Sequence, residues 1–155
     1  MTDEAQSKLH TNPGPNGTTV FVPFDTVICG NVYIGTATGQ LLIGANVTLD
    51  QDVTLISDYG ILMIDDDVNV GQGVKILGGV RIGSEVDLGP HVSIGNNVKI
   101  GSGTFIGDHT KVLDGCHIGN NCTIRPGTNI PNKWEIPDDY VVNPNRDGLP
   151  VALKK

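Results

Sequence analysis

The stretch from Ile82 to Lys99 reads IGSEVD-LGPHVS-IGNNVK, which is three consecutive blocks of six residues. Each block begins with an aliphatic residue followed by glycine, and a valine stands four residues after that aliphatic residue. The same period continues without interruption from Val70 to Ile136. Regular self-similarity at so short a period predicts a solenoid, in which each coil packs only against its neighbours.

The two apolar positions of each block predict the inside of this solenoid. The second of them is small or β-branched throughout, which suits very short strands with little room between them. Between the apolar positions stand mostly Gly, Asn, Asp, Ser or Pro, which accept the turn conformations that a sharp corner needs. Three corners close a triangular prism, so one coil takes eighteen residues. Trp134 and Tyr140 occupy the small inward position at the end of the repeat, and we expect them to cap the prism.

This pattern resembles the hexapeptide-repeat family, and the resemblance covers residues 22–142. It implies an all-β protein, a left-handed parallel β-helix of about six triangular coils. The handedness comes from the resemblance and not from the period. Residues 1–21 are polar and end in a Pro/Gly/Asn cluster, which predicts a flexible arm. Residues 143–155 show no strong pattern and are expected to form a C-terminal tail.

Composition restricts the classes of partner. The formal charge of −7 and the isoelectric point near 4.8 argue against a nucleic acid or an anionic membrane as the main partner. No apolar run approaches the ~20 residues of a membrane-spanning helix, and the N-terminus has no apolar core of a signal peptide. We therefore expect a cytoplasmic location.

The three cysteines are consistent with a cytoplasmic location. Cys116 and Cys122 stand at consecutive inward positions, so we interpret them as buried thiols and not as metal ligands or redox groups. Cys29 follows an aliphatic residue where glycine is usual, and we expect it to face outward.

The period is broken twice, each time by three extra residues, between Ile34 and Ile43 and between Leu55 and Ile64. Because the two insertions lie 21 residues apart, they should stack at one corner. Each is followed by an apolar stretch, Leu41-Leu42 and Ile61-Leu62-Met63. Burial in a homo-oligomer is the first interpretation. Packing of the two insertions on each other is the second, and a groove for an acyl chain or another ligand is the third.

Two sets of polar residues recur at intervals of eighteen. Arg81, Lys99 and His117 should form a column of outward side chains about 4.8 Å apart. Stacked like charges repel, so the column predicts either an anionic ligand or side chains that turn toward nearby acids, and the second is the simpler interpretation. His91 and His109 form a second pair at a corner, either as a metal or catalytic site or as solvated turn residues.

The resemblance implies two kinds of chemistry. Acyltransferases of this family move an acyl group from CoA or acyl carrier protein with a histidine as general base. Their histidine-containing motif is similar to Val112-Leu113-Asp114-Gly115-Cys116, in which Asp114 takes the catalytic position. The γ-class carbonic anhydrases hold a metal through three histidines. The matching positions here are Gln72, Leu77 and the neighbourhood of Ile56, so we expect no metal.

The sequence therefore favours a CoA-dependent acyltransferase that acts on a sugar or an amine. In this prediction His109 or His117 is the general base, Asp114 assists, and Arg81 and Lys99 bind the phosphates of acetyl-CoA or another acyl-CoA. The resemblance also implies a homotrimer. The alternative is a non-catalytic structural or assembly subunit related to γ-class carbonic anhydrases, so the sequence leaves open whether the protein is an enzyme.

Overall fold

Very short strands joined by sharp corners follow from the six-residue period, because only two residues of each block are free of a corner. The computed structural model describes residues 9–13, 20–58 and 60–155. The first two coils consist of β1 (Leu9–Pro13), β2 (Val20–Phe21), β3 (Val27–Ile28), β4 (Val32–Thr36), β5 (Gln40–Ile43) and β6 (Thr48–Leu49). The third and fourth consist of β7 (Val53–Ile56), β8 (Ile61–Ile64), β9 (Asn69–Val70), β10 (Lys75–Ile76), β11 (Arg81–Ile82) and β12 (Asp87–Leu88).

The later coils are the most regular. They consist of β13 (Ser93–Ile94), β14 (Lys99–Ile100), β15 (Phe105–Ile106), β16 (Lys111–Val112), β17 (His117–Ile118), β18 (Thr123–Ile124), β19 (Asn129–Ile130), β20 (Glu135–Ile136) and β21 (Tyr140–Pro144). A last strand, β22 (Pro150–Lys154), follows the solenoid.

Each coil contributes one strand to each of three sheets. The first face has the order β1-β4-β7-β10-β13-β16-β19, the second β2-β5-β8-β11-β14-β17-β20, and the third β3-β6-β9-β12-β15-β18-β21, with β22 added at its end. All pairs within the solenoid are parallel, so the fold is the expected left-handed parallel β-helix. It has seven coils, and the prediction of about six is one short because the first coil includes β1.

The interior is a single column of aliphatic side chains. Ile82, Leu88 and Ile94 are fully buried, as are the valines that stand four residues after them. Cys116 and Cys122 are buried as predicted, and their Sγ atoms lie 2.9 Å and 3.1 Å from the carbonyl oxygens of Pro131 and Pro137. Burial raises the pKa of both thiols. Cys29 is exposed, which confirms its predicted outward position.

Corners are stabilised by side chains that reach the backbone of the preceding coil. The Oδ1 atom of Asp114 accepts a hydrogen bond of 2.8 Å from the backbone N–H of Asn96, eighteen residues earlier. At another corner, the Oδ1 atom of Asn120 does the same for Ser102, also at 2.8 Å. Asp and Asn therefore perform the same capping role, so the charge of Asp114 is not needed for it.

The insertions stack on each other, as predicted from their spacing. Strand β5 pairs with β8 along their whole length, with Leu41 opposite Leu62. Both leucines are fully buried, so part of each apolar stretch turns inward and adds to the core. The hydroxyl of buried Ser57 donates to the carbonyl oxygen of Gln40 at 2.8 Å, which ties the two insertions together. This arrangement favours packing of the insertions on each other.

Both ends of the solenoid differ from the expected arm and tail. Strands β1 and β2 lie within residues 1–21 and pair in parallel with β4 and β5, so the described parts of that segment extend the solenoid. The rest of the predicted arm lies outside the described residues. At the other end, β22 pairs antiparallel with β21, because Asn145 and Gly148 close a turn between them. The described part of the chain contains no helix of the length and apolar character needed to cross a membrane.

Candidate functional site

The second face changes character along its length. Its outward side chains, read from the first coil to the seventh, are Phe21, Leu42, Met63, Arg81, Lys99, His117 and Glu135. The first three are apolar and the next three are basic. In a chain with a formal charge of −7, this face places two formal positive charges and a histidine on adjacent strands.

We call Arg81, Lys99 and His117 the cation column. Strand pairing sets Arg81 directly opposite Lys99, and Lys99 directly opposite His117, so the predicted column is present. Adjacent strands lie about 4.8 Å apart, and the column is therefore about 10 Å long. One nitrogen of Arg81 lies 3.7 Å from a carboxylate oxygen of Asp65, and the arginine side chain is 65% exposed. Such an exposed pair contributes at most about 1 kcal/mol, so an incoming anion can replace it.

Two shallow grooves run beside the column. The first, of about 310 Å³, lies between Arg81 and Lys99 and includes the polar side chains of Ser102 and Asn120. The second, of about 440 Å³, lies between Lys99 and His117 and continues to Glu135. Lys99 borders both grooves, so a ligand that contacts the whole column would occupy both.

A larger groove lies at the corner that joins the first face to the second. We call it the corner groove. It has a volume of about 590 Å³ and is lined by Ile56, Asp58, Leu77, Gly78, Asn96, Asn97 and Asp114. Its origin is the second insertion, because six residues separate the inward residues Leu55 and Leu62, whereas three separate Ile76 and Val80 one coil later. Ile56 and Asp58 from this longer segment form one wall of the groove.

The predicted catalytic residues do not come together at one place. His109 lies at the corner between the third face and the first, whereas Asp114 lies at the corner groove, at the other end of β16. Asp114 therefore lies nearer in the chain to His117 than to the corner that carries His109. His117 lies on the second face, in the same groove as Lys99.

His109 stacks on His91 of the preceding coil. Their ring centroids are 5.0 Å apart and the rings are nearly parallel, with an angle of 18° between their planes. Both residues have positive φ, at 59° for His91 and 57° for His109, and Gly73 and Gly127 take the equivalent turn position in neighbouring coils. These two histidines therefore serve as turn residues of this corner.

The positions that matched metal ligands by resemblance do not fit a metal. Ile56 and Leu77 line the corner groove together, and aliphatic side chains cannot coordinate an ion. Gln72 lies at a different corner, directly before the turn residue Gly73. Among the described residues, no group of three or more His, Cys, Asp or Glu side chains is placed to hold a metal ion.

The sequence interpretation missed the corner groove as a site. Asn96 and Asp114 recur at an interval of eighteen, and the second insertion precedes them, so both signals were present. The period does not reveal that Ile56 and Asp58 line the same groove as Asn96 and Asp114 in later coils. Glu135 was also not predicted to share a groove with His117, although it stands eighteen residues after that histidine.

Residues 97–132, which are 36 of the 155 residues, match the family model described as bacterial transferase hexapeptide (six repeats). This match and the stacked parallel sheets confirm the resemblance to hexapeptide-repeat proteins. Among curated protein sequences, none matches the chain.

Several solved structures share this fold. A putative acetyltransferase from Bacillus cereus is 18% identical with a TM-score of 0.65, and the match covers 95% of this chain and 83% of that one. A hexapeptide transferase family protein from Anaplasma phagocytophilum is 14% identical with a TM-score of 0.58, covering 96% and 84%. PerB from Caulobacter crescentus, solved with CoA and GDP-perosamine, is 20% identical with a TM-score of 0.59. That match covers 87% of this chain and 54% of PerB, so the chain spans about half the length of PerB.

Proposed function

We propose that this protein is an acyltransferase that uses acetyl-CoA or another acyl-CoA and transfers the acyl group to a small sugar or amine. The observation that carries the proposal is the cation column on the second face. Its three residues stand on adjacent strands in direct register, with a groove on each side of Lys99. The names of the structures with the same fold support an acyl transfer, although at 20% identity or less the likeness concerns the fold alone.

The charge of the column fits the phosphates of CoA. Like charges directly opposite each other on neighbouring strands destabilise a sheet, so an anion that bridges them relieves that repulsion. Arg81 offers a planar group for two parallel hydrogen bonds to a phosphate, and Lys99 offers a mobile point charge. The weak contact between Arg81 and Asp65 leaves the guanidinium available for such a ligand.

His117 is the general base in this proposal. It shares a groove with Lys99, and the pantetheine arm of an acyl-CoA bound on the column folds back along that groove to bring the thioester carbonyl to the imidazole. The acceptor oxygen or nitrogen forms a bond to that carbon while the carbon–sulfur bond breaks. The proton leaves the acceptor for His117 and passes to the departing sulfur, so the histidine returns to its neutral form. His109 is outside this arrangement, at another corner.

The first face supplies a matched control for the column. Lys75 and Lys111 are exposed and stand first in the two-residue strands β10 and β16, as Arg81 and Lys99 do in β11 and β14. Replacing either pair by alanine removes the same charge. We expect Arg81→Ala/Lys99→Ala to weaken acetyl-CoA binding in calorimetry at least tenfold, because one charged hydrogen bond contributes roughly 1.5 kcal/mol or more. We expect Lys75→Ala/Lys111→Ala to bind within about twofold of the wild type. Equal weakening by both pairs would leave only a general charge effect and would contradict the proposal.

Activity measurements distinguish the roles of His117 and His109. With acetyl-CoA and a panel of amino and hydroxyl acceptors, His117→Ala should lower kcat by at least about a hundredfold, the usual contribution of a general base. His109→Ala should retain activity. Saturable binding without turnover of any acceptor would instead favour the non-catalytic alternative. The molar mass of the same sample, from light scattering, tests the homotrimer that the resemblance implies.

A further inference from the structure

The corner groove combines two kinds of wall. Ile56 and Leu77 are half-buried and give an aliphatic surface, while Asp58 and Asp114 are the acidic residues of the lining, three coils apart. Asn96 and Asn97 lie between them. A concave site with an apolar wall and a few polar groups is the usual form of a small-molecule site.

The acidic residues that line the groove favour a ligand with a positive charge. Within the described part of the chain, neither Asp58 nor Asp114 forms an ion pair. Asp114 uses one carboxylate oxygen to accept the backbone N–H of Asn96, a role that leaves its second oxygen available. The backbone carbonyl of Asp58 accepts from the hydroxyl of Thr38 at 2.6 Å, which holds this residue in the wall. Two carboxylates beside amide groups favour a positively charged donor, and the aliphatic wall favours an apolar body.

The groove lies directly beside the cation column along the chain. On three successive coils a groove residue stands three positions before a column residue: Gly78 before Arg81, Asn96 before Lys99, and Asp114 before His117. The same corner therefore separates a surface suited to anions from a groove suited to cations. This separation would keep a phosphate-bearing donor and a cationic acceptor from competing for one site.

We propose that the corner groove binds a small organic ammonium compound with an apolar body, and that this compound is the acyl acceptor. The assignment of the acceptor rests on the proposed function. Asp114 holds the ammonium group with its second carboxylate oxygen, Ile56 and Leu77 contact the hydrocarbon part, and Asp58 adds negative charge further along the groove. Before transfer the ammonium group gives up one proton to solvent, and the neutral amine reacts as described for His117.

The binding test uses a pair of probes that differ mainly in charge. The whole chain, with labelled Ile and Leu methyl groups, is titrated with cyclohexylamine and with cyclohexanol at neutral pH and low salt. We expect the amine to shift the methyl signals of Ile56 and Leu77 saturably, and cyclohexanol to bind at least about tenfold more weakly. Equal affinity for the two probes, or no saturable shift with the amine, overturns the proposal.

Asp138 provides the control for the carboxylates. Like Asp114, it caps a corner by accepting the backbone N–H of a residue eighteen positions earlier, here Asn120 at 2.7 Å, but it does not line the corner groove. Because Asn120 and Asn132 cap corners in the same way, Asp→Asn preserves the cap. Asp114→Asn should weaken amine binding at least about threefold, and Asp138→Asn should leave it unchanged. Equal effects of the two variants would contradict a specific site.

The same sample separates this inference from the proposed function. Acetyl-CoA is added to the wild-type protein and its binding is followed by the amide signals of Lys99 and His117. If the wild type binds acetyl-CoA but not the amine, the corner groove alone is overturned. If the wild type binds the amine but not acetyl-CoA, the acyltransferase is overturned and, with it, the role of the amine as acceptor.

Discussion

Coils two and three use 21 residues per turn, whereas the coils after Ile64 use eighteen. The inward residues nevertheless stay in register across this boundary, with Ile64 opposite Ile82. All the difference appears at one corner, where Ile56 and Asp58 line the corner groove and Ser57 is buried. The comparison shows that the interior tolerates no change of period, while a corner can be extended without disturbing the core. Candidate binding features therefore lie where the repeat is broken or where its outward residues change.

The largest expected effect tests whether the two regions share one interior. Leu62 lies in an insertion-bearing coil and Ile82 in a regular one, and both are fully buried. We expect Leu62→Ala and Ile82→Ala each to lower the free energy of unfolding by roughly 2–5 kcal/mol, because both remove buried methyl groups and leave a cavity. Met63→Ala, on the outward side of β8, should cost about 1 kcal/mol or less. Urea denaturation measures all three, and a small loss for Leu62→Ala alone would show that the insertion-bearing coils have a looser core.

A smaller effect tests how the insertions are held together. Ser57 is buried, and its hydroxyl donates to the carbonyl oxygen of Gln40 in the coil before. Ser57→Ala removes this hydrogen bond and should lower the free energy of unfolding by about 1–2 kcal/mol. Ser93→Ala, a half-buried outward position on the first face of a regular coil, should change it by less than about 0.5 kcal/mol. Urea denaturation compares the two, and equal losses would mean that the insertions do not depend on this bond.

The smallest perturbation uses the three cysteines of the native chain. Cys29 is exposed in the early coils, whereas Cys116 and Cys122 are buried in the regular ones. Burial raises the pKa of both buried thiols and so lowers their thiolate fraction, which is the reactive form. A thiol-reactive chromogenic reagent at pH 8 should therefore label one cysteine rapidly in the native protein and all three after denaturation. Rapid labelling of three thiols without denaturant would contradict the packing of the last coils.

The sequence predicted the fold well because the interior repeats with a fixed period and every block supplies the same two inward positions. It predicted the cation column for the same reason, since residues eighteen apart must stack. The number of coils was underestimated because β1 lies in a polar segment that lacks the six-residue repeat. Nothing in the sequence of that segment predicts that it pairs with β4. The corner groove was not predicted, since it depends on how far an insertion projects over coils that follow it. The role of His109 could not be judged from spacing alone, because the corner that carries it lies away from the second face.

The most direct test of the cation column is a map of where acetyl-CoA contacts the chain. Backbone amide signals of the labelled protein are followed while acetyl-CoA is added. We expect saturable shifts concentrated on the second face, at residues 81–83, 99–101 and 117–119. The signals of Lys75 and Lys111 on the first face should remain in place. Shifts centred on the first face, or no saturable shift anywhere, would contradict the claim that the cation column is a CoA site.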